Sequence, residues 1–259
     1  MQTSVEQIAD RIYRISTCIP EIAPGGFTFN QFVVDADEPL LYHTGMRQLF
    51  PLVREAVERV LPVDRLRWIA FAHLEADECG SVNDFLEVAP HAQVAHGALG
   101  VMLSLNDHCV RPPRPLADGE VIELGGATLA RRVLEIGTPH VPHNWESHMF
   151  FEQETGTLFL GDLLTQLGDG PAITGDDLLQ SAIDAEDLFH QTSLGPAVPA
   201  TYRRIADLNP QRLAIMHGSS YEGDCAALLR QMADVYEERY GCVTMPSQPL
   251  PGHDSLVGA

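Results

Sequence analysis

At 259 residues, with 45% hydrophobic and 20% charged side chains, the chain is long enough to bury a core and ordinary enough in composition to be globular and soluble. Its net charge of −20, from 36 acidic against 16 basic residues, leaves no basic surface for nucleic acid or an anionic membrane, so neither is an expected partner. Cys18, Cys79, Cys109, Cys225 and Cys242 are scattered without a C-x-x-C pair, which argues against a disulfide framework or a zinc ribbon. The N-terminus carries no secretory pattern and no run of about 18 apolar residues could span a bilayer, so a cytoplasmic location is predicted.

In chain order, Ile12–Ile15, Gln31–Asp35 and Pro39–His43 read as short strands, with Asp35–Pro39 as a turn. Leu49, Leu52, Val53, Ala56, Val57 and Val60 carry helical spacing that stops at Leu61-Pro62. The apolar run Trp68–Ala72 predicts a buried strand, and Ser81 a helix N-cap with Asp84 three residues on. Gln93–His96 is a strand and Gly97–Leu105 a helix; Arg111–Pro115 is a loop. Two hairpins follow: Val121–Leu124 with Thr128–Ile136 about Gly125-Gly126, and His148–Glu152 with Thr157–Leu160 about Glu154–Gly156. Helices are predicted over Asp176–His190, Pro199–Leu208 and Asp224–Tyr240, with a strand at Arg212–Met216. No repeat or linker divides the chain, so residues 1–242 are expected to form one α/β domain, a sheet-on-sheet core with helices outside, and 243–259 a mobile tail.

Phe71–Gly80 is the most informative stretch. His73, Glu75 and Asp77 stand at alternate positions just past the Trp68–Ala72 strand, where they can turn toward one point. Imidazole and carboxylate donors without a thiolate point to iron, manganese or zinc. His143, Asp162 and His217 each follow another predicted strand. Glu78 and His140 are candidates for proton transfer or for supporting a ligand; the sequence leaves open whether Glu78 coordinates a metal or accepts a hydrogen bond from His217 or a water. His43, at a strand end, reads as a structural histidine and Cys79 as a small buried residue. There is no Gly-x-Ser-x-Gly elbow, and neither Gly25-Gly26 nor Gly125-Gly126 has dinucleotide-site spacing, so no bound flavin or nicotinamide is expected on this chain.

His73-x-Glu75-x-Asp77, the Thr138-Pro139…His143 segment, Gly161-Asp162 and His217-Gly218 in this order resemble the metallo-β-lactamase superfamily. Asn30–Asp35 and Leu40–Gly45 look like that fold's opening hairpin, so the resemblance covers nearly the whole chain and implies a four-layer αβ/βα sandwich. Most hydrolases of the superfamily carry His-x-His-x-Asp-His. Here Glu75 replaces the second histidine and Glu78 the last, and the pattern is more similar to the diiron domain of flavodiiron proteins and to stand-alone oxygen-binding diiron proteins. His143–Met149, with Trp145, also resembles the flavodiiron segment after its ligand histidine.

That resemblance implies two iron ions, with zinc or manganese as the alternative. One would take His73, Glu75 and His143 and the other Asp77 and His217, with Asp162 bridging. An anionic bridge lowers the repulsion of cations about 3.5–4 Å apart, and hard oxygen donors suit the ferric state. The implied activity is binding or reduction of oxygen or nitric oxide. Full reduction of oxygen needs more electrons than two irons store, so a turnover enzyme would draw on an external flavoprotein or rubredoxin. The alternatives are an oxygen sensor without turnover and a dinuclear zinc or manganese hydrolase acting on a small-molecule substrate. Flavodiiron proteins are commonly head-to-tail dimers in which the redox module of one subunit faces the other's irons; no such module is expected on this chain, so that argument for a homodimer lapses and the oligomeric state stays open.

Overall fold

The computed structural model describes residues 3–126 and 128–240. The expected tail, 243–259, and the domain boundary at 242 lie outside the described residues. Two seven-stranded mixed sheets organise the chain. The first contains β1 (Thr3–Ala9), β2 (Ile12–Ile19), β3 (Phe27–Val34), β4 (Leu40–Tyr42), β5 (Trp68–Ala70), β6 (Gln93–Gly97) and β7 (Arg114–Leu116), side by side in that order. Pairing is antiparallel from β1 to β4 and parallel from β4 to β7. The second contains β8 (Val121–Glu123), β9 (Arg132–Gly137), β10 (His148–Glu152), β11 (Thr157–Phe159), β12 (Ile173–Thr174), β13 (Arg212–Ala214) and β14 (Ser220–Glu222), in the order β12-β14-β13-β11-β10-β9-β8.

Alternation along each strand sets the layers. On β4, Leu40 and Tyr42 enter the apolar cluster between the sheets, while Leu41 faces the other way. Trp68 and Ala70 on β5 likewise face inward and Ile69 outward. In the second sheet Val133, Phe150, Phe159 and Ala214 face inward, and Met149, Leu158 and Leu213 outward. The outward face of the first sheet is covered by α1 (Phe50–Glu58) and α3 (Val82–Val88), through Val53, Ala56, Val57, Phe85 and Leu86. The second sheet is covered by α6 (Leu179–Phe189), α7 (Ala197–Ala206) and α8 (Cys225–Tyr240). Three apolar clusters separate four layers, and the chain has the expected αβ/βα sandwich. Among the described residues no helix is long and apolar enough to cross a membrane.

Several local readings differ from the structure. Thr3–Ala9 pairs with β2 although its alternation is half polar, as suits an edge strand. Arg114–Leu116 is a strand rather than a loop; Pro115 is tolerated because β7 is the edge of its sheet. The helix expected after β6 is present from Ala98 to His108, but its middle, Val101–Leu105, is wound as a π helix between α4 (Ala98–Gly100) and α5 (Asn106–His108). The short α2 (Ala76–Cys79) runs almost directly into α3, so Ser81 does not cap with its side chain; its hydroxyl donates to the Met46 carbonyl.

The rim that carries the polar residues is held together by main-chain bonds between elements. Leu160 N–H donates to Ala214 O and Met216 N–H to Gly161 O, so the segments after β11 and β13 leave the sheet together. Asn30 Nδ2 donates to both Ile215 O and Gly218 O, and the buried Arg14 guanidinium also donates to Gly218 O, tying the second sheet's rim to the first sheet. Gly161 has φ +56°, and a Cβ there would lie 2.7 Å from Ala72 Cβ. Gly161→Ala should therefore combine a left-handed backbone penalty of about 1–2 kcal/mol with an overpacking cost of about 1–3 kcal/mol. Gly119→Ala, at φ +81° in open space, should show only the first effect. Urea unfolding of both variants checks this, and equal losses would contradict the close approach.

Candidate metal centre

The predicted ligands leave the ends of different strands and meet at one rim. His73, Glu75 and Asp77 lie after β5, His143 between β9 and β10, Asp162 after β11 and His217 after β13. One donor atom from each of His73, Glu75, His143 and Asp162 lies within 4.8 Å of the other three. Glu75 Oε2 is 2.9 Å from His73 Nε2 and 3.1 Å from His143 Nε2. Asp162 Oδ2 stands 3.5 Å from His73 Nε2 and 3.7 Å from His143 Nε2. Its other oxygen, Oδ1, is 3.2 Å from His217 Nε2, and Asp77 Oδ2 is 3.4 Å from the same nitrogen. Asp162 thus faces all three imidazoles.

His143 and His217 present Nε2 to the cluster because Nδ1 is hydrogen-bonded behind it. His143 Nδ1 donates to Gln191 O at 2.8 Å and His217 Nδ1 to Thr28 O at 2.7 Å. His73 Nδ1 lies 3.2 Å from Glu78 Oε1. Outer partners of this kind fix ring orientation and tautomer. Phe27 stacks on His217 with centroids 4.3 Å apart, closing its apolar side.

Burial and charge pull these groups in opposite directions. Burial works against a charge on His73, but the Glu78, Asp162 and Glu75 carboxylates outweigh it and hold the imidazole at a pKa of about 10. His217, equally buried, is held at about 10 by Asp162 and Asp77. His143 is raised by Glu75 against its own burial. Hydrogen bonds from His143 and His73 lower Glu75 to about 2. Asp162 is lowered too: its burial opposes ionisation, and His73, His217 and His143 overcome it. A cluster that attracts protons in this way would also attract cations, and a metal would displace those protons. Asp77 Oδ1 and Asp162 Oδ1 are moreover buried with no hydrogen bond, a costly state for carboxylate oxygens that bound cations would relieve. The residues present therefore fit a hard metal with oxygen and imidazole donors.

Glu78 and His140 part company. Glu78 is fully buried; its Oε2 accepts the His73 N–H at 2.7 Å and its Oε1 lies 3.4 Å from His43 Nε2. Burial raises its pKa to about 8 against the pull of His73. It faces His73, not His217. His140 is exposed, at φ +65°, and its ring makes no hydrogen bond or ion pair among the described residues; its main chain bonds to Asn144 and Ser193. The structure does not bring it to the cluster, because the loop turns its ring outward three residues before His143. His43 is buried as expected, but at φ +65° and against Glu78. Sequence reasoning missed Thr28, Gln191 and Phe27. The first two act through main-chain carbonyls, which leave no trace in side-chain identity.

Residues 27–218 match the family model described as ODP family beta lactamase. The chain belongs to that family. A diflavin flavoprotein A 1 of Synechocystis sp. is 23% identical over 213 residues, covering 80% of this chain and 36% of that protein. The rubredoxin oxygen:oxidoreductase of Desulfovibrio gigas shares the fold with a TM-score of 0.76 at 16% identity, covering 89% of this chain and 62% of that one. A flavo di-iron protein variant of Thermotoga maritima gives 0.76 at 18% identity, covering 91% and 62%. This member of the ODP family thus has the metallo-β-lactamase-like fold of flavodiiron cores, and it spans about a third of the length of the curated relatives it matches.

The histidine shifts set a pH dependence for the metal-free protein. His73 and His217 have folded pKa values near 10, above the ordinary 6.5, so their stabilisation is fully present below about pH 6.5 and is lost as pH rises through 10. Glu78, raised to about 8, loses stabilisation in the same direction. The melting temperature of chelator-treated protein should fall between pH 6.5 and 10, and loading with metal should flatten that limb. A metal-free melting temperature that holds or rises over this interval would contradict the electrostatic assignment.

Proposed function

We propose that this chain is a dinuclear non-haem iron protein that binds and reduces oxygen or nitric oxide, drawing electrons from a separate flavoprotein- or rubredoxin-type donor. The observation that carries the reading is Glu75, whose carboxylate sits between the imidazoles of His73 and His143 at 2.9 and 3.1 Å. With Asp77 and Asp162 it gives the site three carboxylates beside three imidazoles, a harder and more anionic donor set than a histidine-rich zinc site. The likeness to a diflavin flavoprotein, a rubredoxin oxygen:oxidoreductase and a flavo di-iron protein supports the same direction.

His73, Glu75 and His143 would hold one iron and Asp77 and His217 the other, with Asp162 shared. Bound iron would supply the one-electron chemistry that a diatomic gas requires. The protein's part is to hold the donors. Gln191 O and Thr28 O keep the Nε2 atoms of His143 and His217 aimed inward, Glu78 holds the His73 main chain through its N–H, and Phe27 and the buried rim exclude water from one side of His217. Glu75 is half-exposed, and a small ligand would enter from its side.

The test is anaerobic loading with ferrous iron, metal analysis, then rapid mixing with oxygen or nitric oxide. Two irons per chain and a prompt absorbance change, repeated over many cycles when a reduced flavoprotein or rubredoxin is supplied, are expected. One response without cycles would indicate a sensor; retention of zinc with cleavage of an ester panel would indicate a hydrolase, and either would overturn the proposal. Glu75→His should shift the metal retained from iron toward zinc, and Asp162→Ala should lower affinity at both positions by at least about 100-fold. Metal analysis after dialysis reads both, and full retention of iron in either variant would contradict its assigned place.

A further inference from the structure

The direction of Glu78 divides the centre unevenly. Its carboxylate turns away from Asp77: Oε2 accepts the His73 N–H at 2.7 Å, and Oε1 lies 3.2 Å from His73 Nδ1 and 3.4 Å from His43 Nε2. Its own main-chain carbonyl is held by the Thr44 N–H at 2.6 Å and the Thr44 hydroxyl at 3.2 Å. The missing Cβ of Gly161 leaves the room that Oε1 occupies, since a Cβ there would come within 3.2 Å of it. Swinging this carboxylate toward His217 would strand the buried His73 N–H, a group that must be paired. Glu78 is therefore committed to the His73 side.

The two halves are left with different donor sets. His73, Glu75, His143 and Asp162 bring their donor atoms within 4.8 Å of one another. The other half has Asp77 and His217, 3.4 Å apart, with Asp162 Oδ1 3.2 Å from His217. Donor number and charge govern affinity at such sites. We propose that the two metal positions are unequal by construction: Glu78 buttresses His73 in a tight position and leaves the Asp77–His217 position one protein donor short, so that this second position fills last and keeps the vacant place for an external ligand. The inference rests on the reading that these six residues hold two metals. Glu78 acts in it as a positioning residue.

Anaerobic titration of the metal-free chain with Mn²⁺ alone, followed by electron paramagnetic resonance, tests it. Oxygen and imidazole donors suit this ion. The first equivalent should give an isolated-ion spectrum and bind at least about tenfold more tightly than the second, which should convert it to a coupled spectrum. Glu78→Gln should weaken the first phase by about 10- to 100-fold and leave the second affinity unchanged. Asp77→Asn should remove the second phase and spare the first, which keeps the test open if Glu78→Gln does not fold. Two ions bound with equal affinity, or loss of the second phase in Glu78→Gln, would overturn this proposal alone. A single ion or none at saturation would overturn the dinuclear reading and this one with it.

Discussion

A single buried carboxylate, Asp162, is the group around which the rim is arranged. It lies 3.2 Å from His217, 3.5 Å from His73 and 3.7 Å from His143, so three imidazoles from three separate segments share one anion. Burying that charge is tolerable only because positive charge surrounds it, whether carried by protons or by metal. Asp77 and Glu75 add to that negative charge, and the three imidazoles offset it only while they carry protons. The remainder of the sandwich can be understood as the frame that holds these like charges together.

That frame works mostly through the main chain. The parallel register of β11 with β13 sends Asp162 and His217 out of the sheet side by side. Arg14 and Asn30, both from the first sheet, fasten the turn at Gly218, and Thr28 fastens His217 itself. The loop after α6 contributes Gln191, whose carbonyl orients His143 and whose amide holds the Asp162 carbonyl at 3.0 Å. A buried cluster of Glu186, Thr192 and Tyr236 in turn anchors that loop against α8. Ligands carried by both sheets are thereby fixed with respect to one another before any metal arrives.

The sequence was most legible where a side chain's identity and its spacing carried the information. His73, Glu75 and Asp77 alternate past an apolar strand, and Asp162 and His217 each close one, so their convergence followed from the topology. What could not be read were directions. Glu78 could have pointed either way along the short turn of α2; its bond to the His73 main-chain N–H and the room left by Gly161 decide it. His140 shares a loop with His143 but faces solvent. The strand at Arg114–Leu116 was hidden by Pro115, whose missing N–H matters little at a sheet edge, and β1 by its half-polar pattern. Ser81 has the composition of a cap and does other work because α2 and α3 run together. In each case the competing term was tertiary, and no local pattern records it.

Crystallographic anomalous scattering at the iron absorption edge, on protein loaded without oxygen, would test the central claim most directly. Two peaks flanking Asp162, one within the His73, Glu75 and His143 group and the other beside Asp77 and His217, are predicted. Iron bound elsewhere, or density at this rim only above the zinc edge when both metals were offered, would contradict the account.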